Sequence, residues 1–149
     1  MLILGINAYH GDAAACLLRA GEIVAAAEEE RFRRIKHWAG FPSEAIRYCL
    51  SEAKASLADV DHIAVNSDPG ANIVRRVSYA LLNRPDVRLI LDRVRNQQRR
   101  SSIATELESA FPDETFKGSI HRVEHHLAHL ASCFLVSPFE EAVAVSVDG

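Results

Sequence analysis

Apolar and polar positions recur along the chain with periods that predict its elements. "LILGIN" (2–7) is a short apolar run closed by the turn-forming "AYHGD". "AAACLLRA" (13–20) and "EIVAAAEE" (22–29) follow across Gly21, so three short strands divided by tight turns predict an antiparallel meander. Alanine is a weak strand former, and the middle strand rests on its neighbours. "EEERFRRIKHWAGFP" (28–42) is polar with aromatic interruptions and reads as a loop with one helical turn. Ser43 is a suitable N-cap, and Ala45, Ile46, Cys49, Leu50 and Ala53 repeat at helical spacing over 43–55.

"VDHIAVNS" (60–67) is the next strand, closed by Asp68-Pro69-Gly70. Helical spacing resumes at Ile73, Val74, Val77 and Leu81 and breaks at Pro85. It returns at Val87, Ile90, Leu91 and Val94, and after the polar 96–102 at Ile103, Leu107 and Phe111. "GSIHRVE" (118–124) predicts a strand, "HHLAHLASCFLV" (125–136) a helix and "AVAVSV" (142–147) a last strand. The order βββαβααβαβ describes an α/β chain that opens on a meander. The last strand runs into Asp148-Gly149 with nothing after it to pair with, and strands are not stable alone. The sequence therefore reads as a truncated chain or a fragment of a longer one.

Composition narrows the class. A chain of 149 residues, 48% hydrophobic and 25% charged, is ordinary for one globular domain. A formal charge of −3 gives no electrostatic case for nucleic acid as the main partner. The basic run from Arg84 to Arg100 lacks interleaved aromatics and reads as a solvated helix face. Cys16, Cys49 and Cys133 are scattered and odd in number, the pattern of reduced thiols in a cytoplasmic protein. No apolar run approaches a membrane span, and the N-terminus has no signal-peptide pattern.

Four of the seven histidines fall in "HRVEHHLAHLAS" (121–132). On a helical wheel His125, His129 and Ser132 share one sector. Leu127, Leu130, Ala131 and Phe134 form the opposite, core-directed stripe. Imidazoles four residues apart on a helix can reach one metal ion, although a solvated histidine face gives the same spacing. The zinc-protease HExxH pattern is absent, because His126 stands where its glutamate would be. Asp148 ends a strand after this helix, where ligands bind in α/β folds. A His-His-Asp set suits a divalent first-row metal with open positions.

Two further segments carry candidate chemistry. The turn "NAYHGDAA" (7–14) sets His10 beside Asp12, a pair suited to proton transfer, though an Asx turn with an exposed histidine explains the same residues. In "EEERFRRIKH" (28–37), Arg31, Arg34 and Lys36 are natural contacts for an anionic group, against the plainer reading of a charged, solvated loop.

"LILGINAYHGDAAACLL", "AAAEEERFRRIKHWAGFPSEAIRYCL", "EHHLAHLASCF" and "AVAVSVDG", in that order, resemble the N-terminal part of carbamoyltransferases of the nodulation and antibiotic-tailoring type. The resemblance covers most of the chain outside 56–117. It implies an actin/sugar-kinase-like (ribonuclease-H-like) half-domain over 1–139, with 140–149 opening the second half. It further implies ATP-dependent formation of carbamoyl-adenylate from carbamoyl phosphate, and carbamoyl transfer to the hydroxyl of a small molecule.

By the same resemblance, His125, His129 and Asp148 hold a divalent metal, iron before zinc, and Asp148 with Gly149 meets the nucleotide. His10 and Asp12 face the reacting carbamoyl group and the acceptor, and Arg31 and Lys36 bind substrate. The remaining ligand and the adenylate-forming module would lie in C-terminal domains of the same protein, so these residues alone should not complete a turnover. No nucleic acid or membrane partner is implied. Two alternatives remain open at this point: a related threonylcarbamoyl-transfer enzyme acting on tRNA, and a non-catalytic metal-binding or interaction fragment.

Overall fold

A computed structural model describes residues 1–9, 11–67 and 103–147. The two helices predicted between Ile73 and Val94, together with His10, Asp148 and Gly149, lie outside the described residues. The chain divides into two compact units, one of residues 1–68 with 116–149 and the other of 69–115.

The first unit is built on a five-stranded sheet. Strands β1 (Leu2–Asn7), β2 (Ala14–Arg19) and β3 (Glu22–Glu28) form the predicted antiparallel meander. Strands β4 (His62–Val65) and β5 (Ser119–Arg122) add in parallel on the other side of β1, giving the order β3-β2-β1-β4-β5. This is the ribonuclease-H-like α/β arrangement that the resemblance implied.

Alternation decides which face is core. Leu2, Leu4 and Ile6 of β1, Ala15 and Leu17 of β2, and Ile63 and Val65 of β4 are buried. Ile3, Gly5, Asn7, Cys16 and Ala64, at the intervening positions, are half-buried. A single turn of helix follows the meander as α1 (Glu30–Arg33). Then α2 (Ser43–Glu52) buries Ala45, Ile46, Cys49 and Leu50 and packs on β2 and β3. Cys49 seats its thiol 3.6 Å from the Ala15 carbonyl and 3.7 Å from that of Ala25. In the second unit α3 (Ile103–Ala110) buries Ile103 and Leu107, and Phe111 just beyond it is also buried.

Three local expectations are corrected. Ser43 is the first residue of α2 and not its cap; Pro42 precedes the helix, and no side chain of a flanking residue caps it. The cap comes from a distance: buried Glu29 accepts hydrogen bonds from the amides of Ala45 (2.8 Å) and Glu44 (3.3 Å). A carboxylate is well suited to those unsatisfied first-turn N–H groups and to the positive end of the helix dipole.

Helix α4 (His125–Phe134) forms where predicted, but its apolar stripe is not core. None of its residues is buried, and Leu127 is 57% exposed. Amphipathic spacing makes a helix able to bury one face, and among the described residues Leu130, Ala131 and Phe134 of this one are covered only in part. The strand expected at 142–147 does not form, and Val143, Val145 and Val147 are exposed. Alternation alone supplies no ladder, and no described strand pairs with it.

Candidate functional site

The C-terminal ends of the parallel strands β1 and β4 carry asparagines that meet: Asn66 Nδ2 donates to Asn7 Oδ1 at 2.9 Å. Asn7 Nδ2 in turn donates to the Asp12 carbonyl at 3.0 Å, fixing the turn after β1. The loop after α1 lies against that turn, through Ala13 N–H to the Trp38 carbonyl (2.9 Å) and Tyr9 N–H to the Gly40 carbonyl (3.3 Å). A Cβ at Gly40 would run into the Trp38 indole, so glycine lets the loop fold back on its own aromatic ring.

The turn and the loop share one side-chain bond, from His37 Nδ1 to Asp12 Oδ1 at 2.8 Å. His37 is tied a second time by its amide, which donates to Glu30 Oε2 at 3.2 Å. The adjacent carboxylate of Asp12 raises the His37 pKa above its ordinary value, with a smaller contribution from Glu30. Tyr9, Asp12, Arg34 and His37 all have positive φ, between 54° and 64°, a conformation non-glycine residues enter at a cost.

The charged stretch divides its work. Glu28 pairs with Arg31 at 3.4 Å on the surface. Glu29, with no exposed surface, takes Arg33 Nε at 2.7 Å, and Arg33 also donates to Ser43 Oγ and lies over the Trp38 ring. Arg31 remains largely exposed, and Lys36 is exposed. Arg31 stands at one border of an open groove of about 970 Å³. Gly5, Cys16 and Ala64 of the sheet line it, as do Ala128 and Ser132 of α4.

On α4 the wheel's prediction is met in three dimensions. His125 Nε2 and His129 Nε2 face each other at 3.1 Å, with the rings 4.5 Å apart and nearly perpendicular. Without an ion, one ring donates to the other. The same gap suits two nitrogens each about 2.0–2.1 Å from a shared cation, at an angle of roughly 95–100°. The donor set therefore fits a borderline divalent metal. Among the described residues no third His, Cys, Asp or Glu completes a cluster. Glu124 is committed elsewhere, capping α4 through the Leu127 amide at 2.8 Å, and that bond lowers its pKa. Residues leading to Asp148 pass the helix at Ser146, whose hydroxyl lies 3.4 Å from His126 Nδ1.

Residues 2–149 match the family model described as the carbamoyltransferase N-terminus. The chain belongs to this carbamoyltransferase family. It is 36% identical to the nodulation protein NolNO of Sinorhizobium fredii over 96% of its own length and 20% of that protein's. It is 38% identical to an uncharacterized protein of Synechocystis sp. over 99% of its length and 25% of the relative's. The chain thus spans a fifth to a quarter of these relatives. Among solved structures it superposes on YeaZ from Pseudomonas aeruginosa with a TM-score of 0.41 at 17% identity, over 83% of this chain and 42% of that one.

In this member of the carbamoyltransferase family the structure brings His125 to His129, and Asp12 to the loop of Lys36. Arg31 and α4 both line the groove. Sequence reasoning missed His37, Asn7, Asn66 and Glu29 as builders of the site. The first three signal themselves only as polar residues at the ends of strands and loops. Glu29 is one of three adjacent glutamates with no local mark to set it apart. The described residues contain no helix long and apolar enough to cross a membrane.

Proposed function

We propose that the full-length protein is an O-carbamoyltransferase. It activates carbamoyl phosphate with ATP as carbamoyl-adenylate and passes the carbamoyl group to a hydroxyl of a small molecule. The present residues supply the first half of the metal and nucleotide domain (1–139) and the opening of the second (140–149). Later domains of the same protein supply the rest. The observation that carries this reading is the convergence of His125 and His129 on α4 of a carbamoyltransferase-family chain.

His125, His129 and Asp148 would hold the divalent ion, iron in preference to zinc, and Asp148 with Gly149 would meet the nucleotide. When bound, the ion supplies positive charge that polarises phosphate oxygens. Arg31 and Lys36 offer cationic contacts to the anionic donor, Arg31 from the groove border. Asp12, with His10, faces the transfer step from the turn after β1. Free thiols at Cys16, Cys49 and Cys133 suit a cytoplasmic setting.

Elemental analysis of the full-length protein tests the metal site. Stoichiometric metal in the wild type should fall at least tenfold in His125→Ala/His129→Ala. Equal metal content in the two proteins would remove these histidines from the site.

A further inference from the structure

The imidazole paired with Asp12 is His37, contributed by the loop that faces the turn. An ionised carboxylate only accepts hydrogen bonds, so Nδ1 must carry the hydrogen donated to Asp12 Oδ1. That fixes the tautomer: when His37 is neutral, its lone pair lies on Nε2. The ring is 78% exposed, and its backbone is held by Glu30. Nε2 is thereby presented outward from a braced ring. A carboxylate that orients an imidazole in this way is the arrangement that makes histidine an effective general base.

Backbone strain points to the same place. Of six non-glycine residues with positive φ among the described residues, four (Tyr9, Asp12, Arg34 and His37) lie in this turn and the loop against it. Such conformations persist where surrounding structure holds them, and they concentrate at functional sites. Asp12 from the turn and Glu30 from α1 are the acidic groups that act on His37 among the described residues. Arg34 and Lys36 neighbour it on its own loop.

We infer that His37 is the proton acceptor for the attacking hydroxyl, with Asp12 as its positioning residue. The inference rests on the carbamoyl-transfer reading above. The acceptor oxygen bonds to the carbamoyl carbon, and the bond from that carbon to the adenylate phosphate oxygen breaks. The electron pair of that bond leaves with AMP, and the hydroxyl proton passes to His37 Nε2.

The test uses full-length protein with carbamoyl phosphate and ATP, and two probes. Hydroxylamine is nucleophilic without a base, so its ATP-dependent trapping of the activated carbamoyl group as hydroxyurea, above the ATP-free background from carbamoyl phosphate, reports donor activation alone. AMP release with water as the acceptor reports the step that needs the base. In His37→Gln, trapping should stay within about twofold of wild type. AMP release should fall by about 10²–10⁴-fold and lose its acid limb. In Asp12→Asn the limb should move to lower pH, because the group that raises the His37 pKa is gone.

Wild-type AMP release and pH profile in His37→Gln, with trapping intact, would overturn the role of His37 alone. Absence of ATP-dependent trapped product from the wild type would overturn the carbamoyl-transfer reading and this inference with it.

Discussion

Glu29 has no exposed surface, yet its carboxylate meets Arg33 and two amides of α2. Glu29→Ala strands those donors, and since Arg33 can still reach water the cost should be about 2–3 kcal/mol. A denaturant midpoint unchanged within error would show that water replaces the carboxylate freely. Cysteine chemistry separates just as sharply. Burial pushes the Cys49 thiol up to about 11, while Cys133 stands in solvent. Mapped alkylation of the native protein near pH 8 should label Cys133 readily and Cys49 only on unfolding. Equal labelling would mean that α2 opens from the sheet. Of these residues, sequence disclosed only those whose partners are local. His125 and His129 are one helical turn apart, so spacing alone aligned them. Glu29 reaches Ala45, and His37 reaches Asp12 across 25 positions, so only folding selects them from their neighbours.

At the level of elements, the meander and α2 were readable because turn residues and a clean period marked them. The half-covered stripe of α4 and the absent strand at 142–147 show the limit of that logic. A periodic pattern states which face can be buried, and the partner that buries it lies elsewhere in the chain. One small residue governs the entry to β5. Gly118 sits so close to the backbone of Asp61 that a Cβ there would penetrate its carbonyl, while the next amide, Ser119, bonds that same oxygen at 3.0 Å. Gly118→Ala should therefore displace β5 from β4 and lower stability by about 1–3 kcal/mol, read from thermal or denaturant unfolding. An unaffected transition would place slack at that strand entry.

For the molecule as a whole, strand order was the part that periodicity could not supply and only the family resemblance implied. Periodicity names strands without saying that β1 is central, antiparallel to β2 and parallel to β4. Because β4 and β5 also run parallel, the chain must cross over between them, and residues 66–118 make that crossing, with the unit 69–115 inside it. The entropy of closing such a connection grows only with the logarithm of its length, and doubling it costs about 0.6 kcal/mol. An insertion within β1 would shift a register shared with strands on both sides. Between β4 and β5 the fold imposes almost no thermodynamic ceiling on length. In evolutionary terms, this crossover is where members of the family can diverge in size while the sheet and the two facing histidines of α4 stay in place.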